Sequence, residues 1–197
     1  MSFKSFLKED SRLDDRLKSR LANLVFAPQK DLKKPKYQEI KIFRDGWERI
    51  TLPNPPREDR EVDAVIAAVE GATDQQIEDY KLCDQNASYF IEKHLTDNNL
   101  AYDKKNVEFI EKQCVPIVRH YKNHFNRPRP KVLAKKMNIK MKDIEMASMK
   151  TPSYPSGHST QGMLIGLVLG DKYPKSKSAF MKTANNISDS RNVAHAN

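Results

Sequence analysis

One segment constrains the fold of this chain more than any other: a turn with two prolines and a glycine that leads directly into an apolar stretch. It reads Thr-Pro-Ser-Tyr-Pro-Ser-Gly-His-Ser-Thr over residues 151–160. Pro152 and Pro155 restrict the backbone ahead of the turn, and Gly157 lets the main chain approach a ligand closely. The apolar run over 162–169 predicts a buried helix. Because a helix N-terminus points free N–H groups at the turn before it, we expect an anion site there.

His158 follows the glycine of this turn, and histidine is the side chain best suited to proton transfer near neutral pH. A plainer interpretation is that Ser156 caps the helix and His158 is merely exposed. Two other cationic segments favour the anion site over that interpretation. One is upstream and contains Lys122 and Arg129, and the other is Ser190 with Arg191 downstream.

The upstream segment is expected at the end of a helix over 103–123, because apolar residues there form one stripe that ends beside Lys122. The prolines at 128 and 130 then terminate the helix and hold Arg129 in an extended loop. A planar guanidinium suits tetrahedral oxyanions such as phosphate. The alternative is that these basic residues only complement the helix macrodipole.

The downstream segment predicts a buried cation. Phe180, Ala184, Ile187 and Arg191 recur at spacings of four, three and four residues, so Arg191 ends an apolar helix face. A buried cation needs an anion nearby, and a bound phosphate would supply it.

Length and composition favour a single helical domain. The chain has 197 residues, 31% of them charged, and only six glycines. Further helices are predicted over 58–69 and 74–95, with Thr73 or Asp74 capping the second. We expect residues 1–56 to form a leading helix, over 1–26, and a proline-rich connector packed on a core formed by 57–197.

The expected setting is the cytoplasm. Mean hydropathy is −0.76, and the chain lacks the stretch of about 20 apolar residues that a membrane span needs. The first residues carry charges without the apolar segment of a secretory signal. Cys83 and Cys114 lie in helical patterns beside apolar residues, and we expect reduced thiols.

The formal charge of +9 raises the question of a nucleic-acid partner. Acidic residues are interspersed with the basic ones along much of the chain, and the densest basic stretch, over 131–142, has little aromatic content. A solvated face is the favoured interpretation, and no nucleic-acid partner is expected. We also expect no metal, because no cluster of acids and histidines has metal-ligand spacing.

The three cationic segments together resemble the signature of the phosphatidic acid phosphatase type 2 and vanadium haloperoxidase superfamily. That signature is Lys, six residues, Arg-Pro; then Pro-Ser-Gly-His; then Ser-Arg, five residues, His, three residues, Asp. Lys122 with Arg129-Pro130 matches the first part, residues 155–158 match the second, and Ser190-Arg191 begin the third. The resemblance covers about residues 107–197. The Ser-Tyr-Pro-Ser-Gly-His motif over 153–158 is most similar to that of the soluble bacterial acid phosphatases.

The resemblance implies an all-α helical bundle and a metal-independent phosphomonoesterase that works through a phosphohistidine. His158 would be the general acid and base, acting on a small phosphorylated substrate without a cofactor or a membrane. The residues implied to bind phosphate are Lys122, Arg129, Ser156, Gly157 and Arg191.

The chain departs from the family pattern at the nucleophile. The family's attacking histidine corresponds to Asn197, and a neutral amide is not a competent nucleophile for phosphoryl transfer. Three explanations are open: the chain stops before a native terminus, His195 substitutes from two positions earlier, or the protein binds phosphate without turnover. A vanadate-dependent haloperoxidase, which would hold vanadate at the same residues, is the alternative enzyme.

Overall fold

The computed structural model describes residues 43, 45–142, 144, 146 and 148–193, and within that part of the chain the regular elements are helices. The described part of the chain is therefore all-α, as expected. The elements in order are a 3-10 helix at Trp47–Arg49, α1 (Glu58–Glu70), α2 (Asp74–Gln85), α3 (Tyr89–Asp97), α4 (Lys104–Phe125), α5 (Pro130–Lys136), α6 (Gly157–Lys172), a 3-10 helix at Pro174–Ser176, and α7 (Lys177–Val193). The leading helix expected over 1–26 lies outside the described residues.

Local capping explains where several helices begin. Thr73 caps α2 with a reciprocal capping box, in which its hydroxyl accepts from the Gln76 amide and the Gln76 side chain accepts from the Thr73 amide. The side chain of Asp103 accepts from the Lys105 amide at the start of α4. The predicted cap at Thr73 and the predicted helices over 58–69 and 103–123 are confirmed.

The single helix predicted over 74–95 is wrong, because the structure divides it into α2 and α3. The side chain of Asn86 accepts hydrogen bonds from the backbone N–H of Ser88 at 3.1 Å and from its hydroxyl at 2.7 Å. Such local side-chain bonds offer the backbone an alternative to the helix. The break places Asp84 in the last turn of α2.

Helix α7 is the centre of the fold, since it packs against α1, α2, α3 and α6. Its contact with α6 is the most extensive in the described part of the chain. Gly162 permits this close approach, because a Cβ added there would lie 2.7 Å from Ile187 Cδ1. The buried residues Phe180, Ala184 and Ile187 confirm the predicted apolar face of α7.

The connector ahead of α1 docks on α4. Tyr121 donates its hydroxyl proton to the carbonyl oxygens of Trp47, at 3.0 Å, and of Ile50, at 2.6 Å. The Trp47 ring packs against the main apolar core and edge-on to His120.

Cys83 and Cys114 are both buried free thiols. Among the helices described here, none is long and apolar enough to cross a membrane.

Candidate anion-binding site

Arg191 lies in the last turn of α7 and is fully buried, with 0% of its surface exposed. Its Nη2 donates to the carboxylate Oδ1 of Asp84 at 2.6 Å and to the hydroxyl of Ser148 at 2.9 Å. A guanidinium has five N–H donors, and these two bonds use only one of its nitrogens. The buried positive charge of Arg191 is therefore paired with a carboxylate of the same chain, that of Asp84.

The remaining nitrogens of this arginine are the most unusual feature of the site. Within the described residues, no hydrogen-bond acceptor reaches Nε or Nη1 of Arg191, although both atoms are buried. The same holds for Nη1 of Arg129. Buried donors are almost always paired in native proteins, and leaving one unpaired costs about 1–3 kcal/mol. Unpaired guanidinium nitrogens from two arginines are suited to hold an oxyanion.

Arg129 stands between α4 and α5 and is half-buried. Its backbone is extended, at φ −68° and ψ 148°, as expected for a residue that precedes a proline. Its Nε donates to the Thr151 carbonyl at 2.7 Å, and its Nη2 donates to the Ser148 carbonyl at 3.2 Å. These bonds hold the side chain against the loop before α6 and leave Nη1 unbonded.

Lys122 lies in the last turn of α4 and is only 8% exposed. Its Nζ donates to the carbonyl oxygen of Pro152 and, at 3.3 Å, to that of Ser153. An ammonium has three donors, so one remains for a ligand. Helix α4 ends three residues later at Phe125, where Asn126 takes a left-handed conformation with φ 42°.

His158 lies in the first turn of α6, half-buried, with its Nε2 3.1 Å from the backbone carbonyl oxygen of Asp84. A carbonyl oxygen can only accept, so Nε2 carries the proton in this contact and Nδ1 of the neutral ring carries a lone pair. Burial and then the charge of Arg191 lower the pKa of His158 to about 4. The ring is therefore neutral at pH 7.

We call four side chains the anion site: Lys122, Arg129, His158 and Arg191. Shared partners connect the last three, and Lys122 lies near enough for the charges of both arginines to lower its pKa. Asp84 contacts Arg191 through its carboxylate and His158 through its carbonyl oxygen, and Ser148 contacts both arginines. The site thus draws on the ends of α2, α4 and α7 and the start of α6.

The charges within the anion site repel one another. Burial, followed by the charges of Arg129 and Arg191, lowers the pKa of Lys122 to about 7. Burial and Arg191 lower the pKa of Arg129 to about 10. An opposite charge favours the charged form of a group. An anion bound here would therefore raise the pKa values of Lys122, Arg129 and His158.

The structure places Ser156 and Gly157 at the start of α6, next to His158. Ser156 is the N-cap residue, and its hydroxyl accepts from the Ser159 amide at 3.4 Å. The capping role considered from the sequence is therefore present. A Cβ added to Gly157 would lie 3.6 Å from the Val118 side chain, which is an ordinary contact, so packing does not require glycine at this position.

The sequence analysis does not identify two residues that bond to the arginines of the anion site: Asp84 and Ser148. The expectation that phosphate would be the anion beside Arg191 omitted Asp84, a residue that is only 7% exposed and whose carboxylate bonds to Arg191. Burial raises the pKa of Asp84, but hydrogen bonds from Ser148 and Arg191 outweigh burial and the net shift is downward. The sequence does contain a signal for the burial of Asp84. It lies four residues after Tyr80, and this spacing places both residues on the inner face of α2.

A second buried ion pair supports the loop that carries Arg129. Arg127 donates from Nε at 3.0 Å and from Nη2 at 2.5 Å to the same carboxylate oxygen of Glu61, which is 5% exposed. It also donates to the Pro56 carbonyl at 2.8 Å. The pair joins α1 to the segment between α4 and α5, two residues before Arg129.

Asn197 and His195, the two positions considered for the nucleophile, lie outside the described residues. Within the described part of the chain, histidine, cysteine and carboxylate side chains form no group of three that could hold a metal ion. Neither a protein-family profile nor a curated protein sequence matches the chain.

Proposed function

We propose that the anion site binds the phosphoryl group of a small phosphomonoester and that the protein hydrolyses this ester without a metal ion. The observation that carries the proposal is the set of buried, unpaired nitrogens on Arg191 and Arg129. Phosphate oxygens would supply the missing acceptors, and Lys122 would supply a further donor. A site of preorganised cations favours the charge of a phosphoryl transition state.

His158 would handle protons in this reaction. Its pKa is low because of burial and the charges of Arg191 and Lys122. A bound phosphoryl dianion opposes those charges and raises the pKa, which brings the imidazolium within reach at mildly acid pH. In the two-step reaction that the resemblance implies, a nucleophile bonds to phosphorus as the bond to the ester oxygen breaks, and the imidazolium would protonate the leaving alcohol. The neutral ring would then take a proton from the water that displaces this nucleophile from phosphorus and releases phosphate.

The second candidate is phosphate binding without turnover. It is favoured by Asn197, because an amide stands where the resembled family has its nucleophilic histidine. Both candidates share the same binding site, so they differ only in the covalent step.

Hydrolysis of p-nitrophenyl phosphate in the presence of EDTA separates the candidates. We expect turnover that persists in EDTA and falls about 100-fold or more in His158→Gln. The matched control is His124→Gln, at an exposed position of α4, which should keep the activity. Phosphate binding without turnover in the wild-type protein supports the second candidate, and the absence of both binding and turnover contradicts both.

A further inference from the structure

Asp84 is the one carboxylate among the described residues that bonds directly to Arg191. The pair is almost completely removed from water, with side chains 0% and 2% exposed. Ser148 reinforces it, since its hydroxyl donates to Asp84 Oδ1 and its backbone N–H donates to Oδ2 at 3.1 Å. A buried guanidinium without a counter-charge would strongly destabilise the fold, and Asp84 supplies that counter-charge when no phosphate is bound.

The geometry of the pair leaves hydrogen-bond donors for a second anion. Asp84 and Ser148 use only Nη2 of Arg191, while Nε and Nη1 stay unpaired. A bound phosphate would therefore share the guanidinium with Asp84 instead of replacing it. Two anions on one guanidinium repel each other, and in a buried site this repulsion is weakly screened.

We propose that Asp84 is a built-in counter-anion that keeps Arg191 buried and oriented when no phosphate is bound and, by its negative charge, sets a lower affinity for phosphate than the cations alone would give. This inference rests on the proposed phosphate binding. Functionally, a resident carboxylate would limit how tightly the inorganic phosphate product is held. It makes Asp84 a positioning and affinity-setting residue, without contact to the reacting atoms.

The test compares Asp84→Asn with the wild-type protein in thermal unfolding and in calorimetric titration, with inorganic phosphate as the probe. The amide keeps the shape and an acceptor oxygen but removes the charge. Without phosphate, Asp84→Asn should unfold at a lower temperature, because Arg191 loses its counter-charge. Phosphate should then raise its unfolding temperature by roughly 5 °C more than that of the wild-type protein, and bind on the order of tenfold more tightly.

The control is Asp63→Asn, at an exposed position of α1, which should leave the unfolding temperature and the phosphate affinity unchanged. If phosphate binds wild type but stabilises Asp84→Asn equally or less, the counter-anion inference is overturned and the proposed function stands. If phosphate binds neither protein, both are overturned.

A second measurement and a second variant cover the case in which Asp84→Asn does not fold in phosphate-free buffer. If addition of phosphate restores the folded state of Asp84→Asn, the result supports the inference directly. The double variant Asp84→Asn/Arg191→Gln removes both charges, so it should fold, and its response to phosphate should be much weaker than that of wild type. A single variant that phosphate does not restore, or a double variant that does not fold, would overturn the role assigned to Asp84.

Discussion

Lys122 and Ser153 are joined by a hydrogen bond of 3.3 Å from the lysine ammonium to the serine carbonyl oxygen. Ser153 in turn donates its backbone N–H to the Arg127 carbonyl at 2.9 Å and its hydroxyl to the Pro128 carbonyl at 3.0 Å. The loop before α6 is therefore fastened to the loop after α4. As a result, the loop that leads to His158 lies against the segment that carries Lys122 and Arg129.

The charge state of Lys122 should make anion binding depend on pH. Burial and the neighbouring arginines lower the pKa of Lys122 to about 7, so its charge is present below pH 7 and is lost as the pH rises. Sulfate is the appropriate probe, because its own charge is constant over this range. We expect sulfate affinity, measured by calorimetry, to fall on the order of tenfold between about pH 6 and pH 9.

Lys122→Met should bind sulfate weakly and without this pH dependence. The matched control is Lys112→Met, at an exposed position on the same helix, which should retain the wild-type affinity and pH profile. A wild-type affinity that stays constant from pH 6 to pH 9 would contradict the assignment of Lys122 to the site.

His158 should make the stability of the protein in phosphate-free buffer sensitive to acid. Its pKa in the folded state is about 4, below its ordinary value, so the unfolded chain binds more protons between those two values. Stability should therefore be fully present above the unfolded pKa of about 6.5 and decrease as the pH falls toward 4.

Denaturant unfolding at pH 7 and pH 5 measures this effect. We expect wild type to lose about 1–2 kcal/mol more than His158→Gln over that interval. His124→Gln should behave like wild type. Equal losses in wild type and His158→Gln would show that the imidazole is not held neutral.

Removing the buried acidic partner of Arg127 should lower the free energy of unfolding more than removing its exposed acidic partner. Glu61→Gln leaves the Arg127 guanidinium, whose side chain is 10% exposed, without its close partner, and we expect a loss of about 3 kcal/mol in the free energy of unfolding. Glu58 offers the control, because its carboxylate lies 3.5 Å from the same guanidinium but is 55% exposed. Glu58→Gln should cost less than about 1 kcal/mol. Similar losses for the two variants would contradict this account.

The contact between α6 and α7 should not tolerate a side chain at Gly162. An alanine Cβ there would lie 2.7 Å from Ile187 Cδ1, so Gly162→Ala should destabilise the protein by about 1–3 kcal/mol in denaturant unfolding. Gly162→Ala/Ile187→Val removes the colliding atom and should recover part of the loss. A double variant less stable than the sum of the single changes would show that the collision is elsewhere.

The sequence allows more of the fold to be predicted than of the charge balance at the site. Helical periodicity and the capping residue Thr73 predict where helices run, since both are local properties. The break at Asn86 was missed because a side-chain hydrogen bond to Ser88 prevails over the apolar spacing. The pairing of Asp84 with Arg191 could not be predicted, because it depends on how α2 packs against α7 across 107 residues.

The most direct test of the central claim is calorimetric titration of inorganic phosphate into wild type, Arg129→Gln and Arg119→Gln. Arg129 supplies one of the buried, unpaired nitrogens, whereas Arg119 is exposed on α4. The account predicts saturable binding to wild type and Arg119→Gln, and binding weakened roughly 10-fold or more in Arg129→Gln. No saturable binding to wild type, or equal affinity in all three proteins, would contradict the claim that these side chains form an anion site.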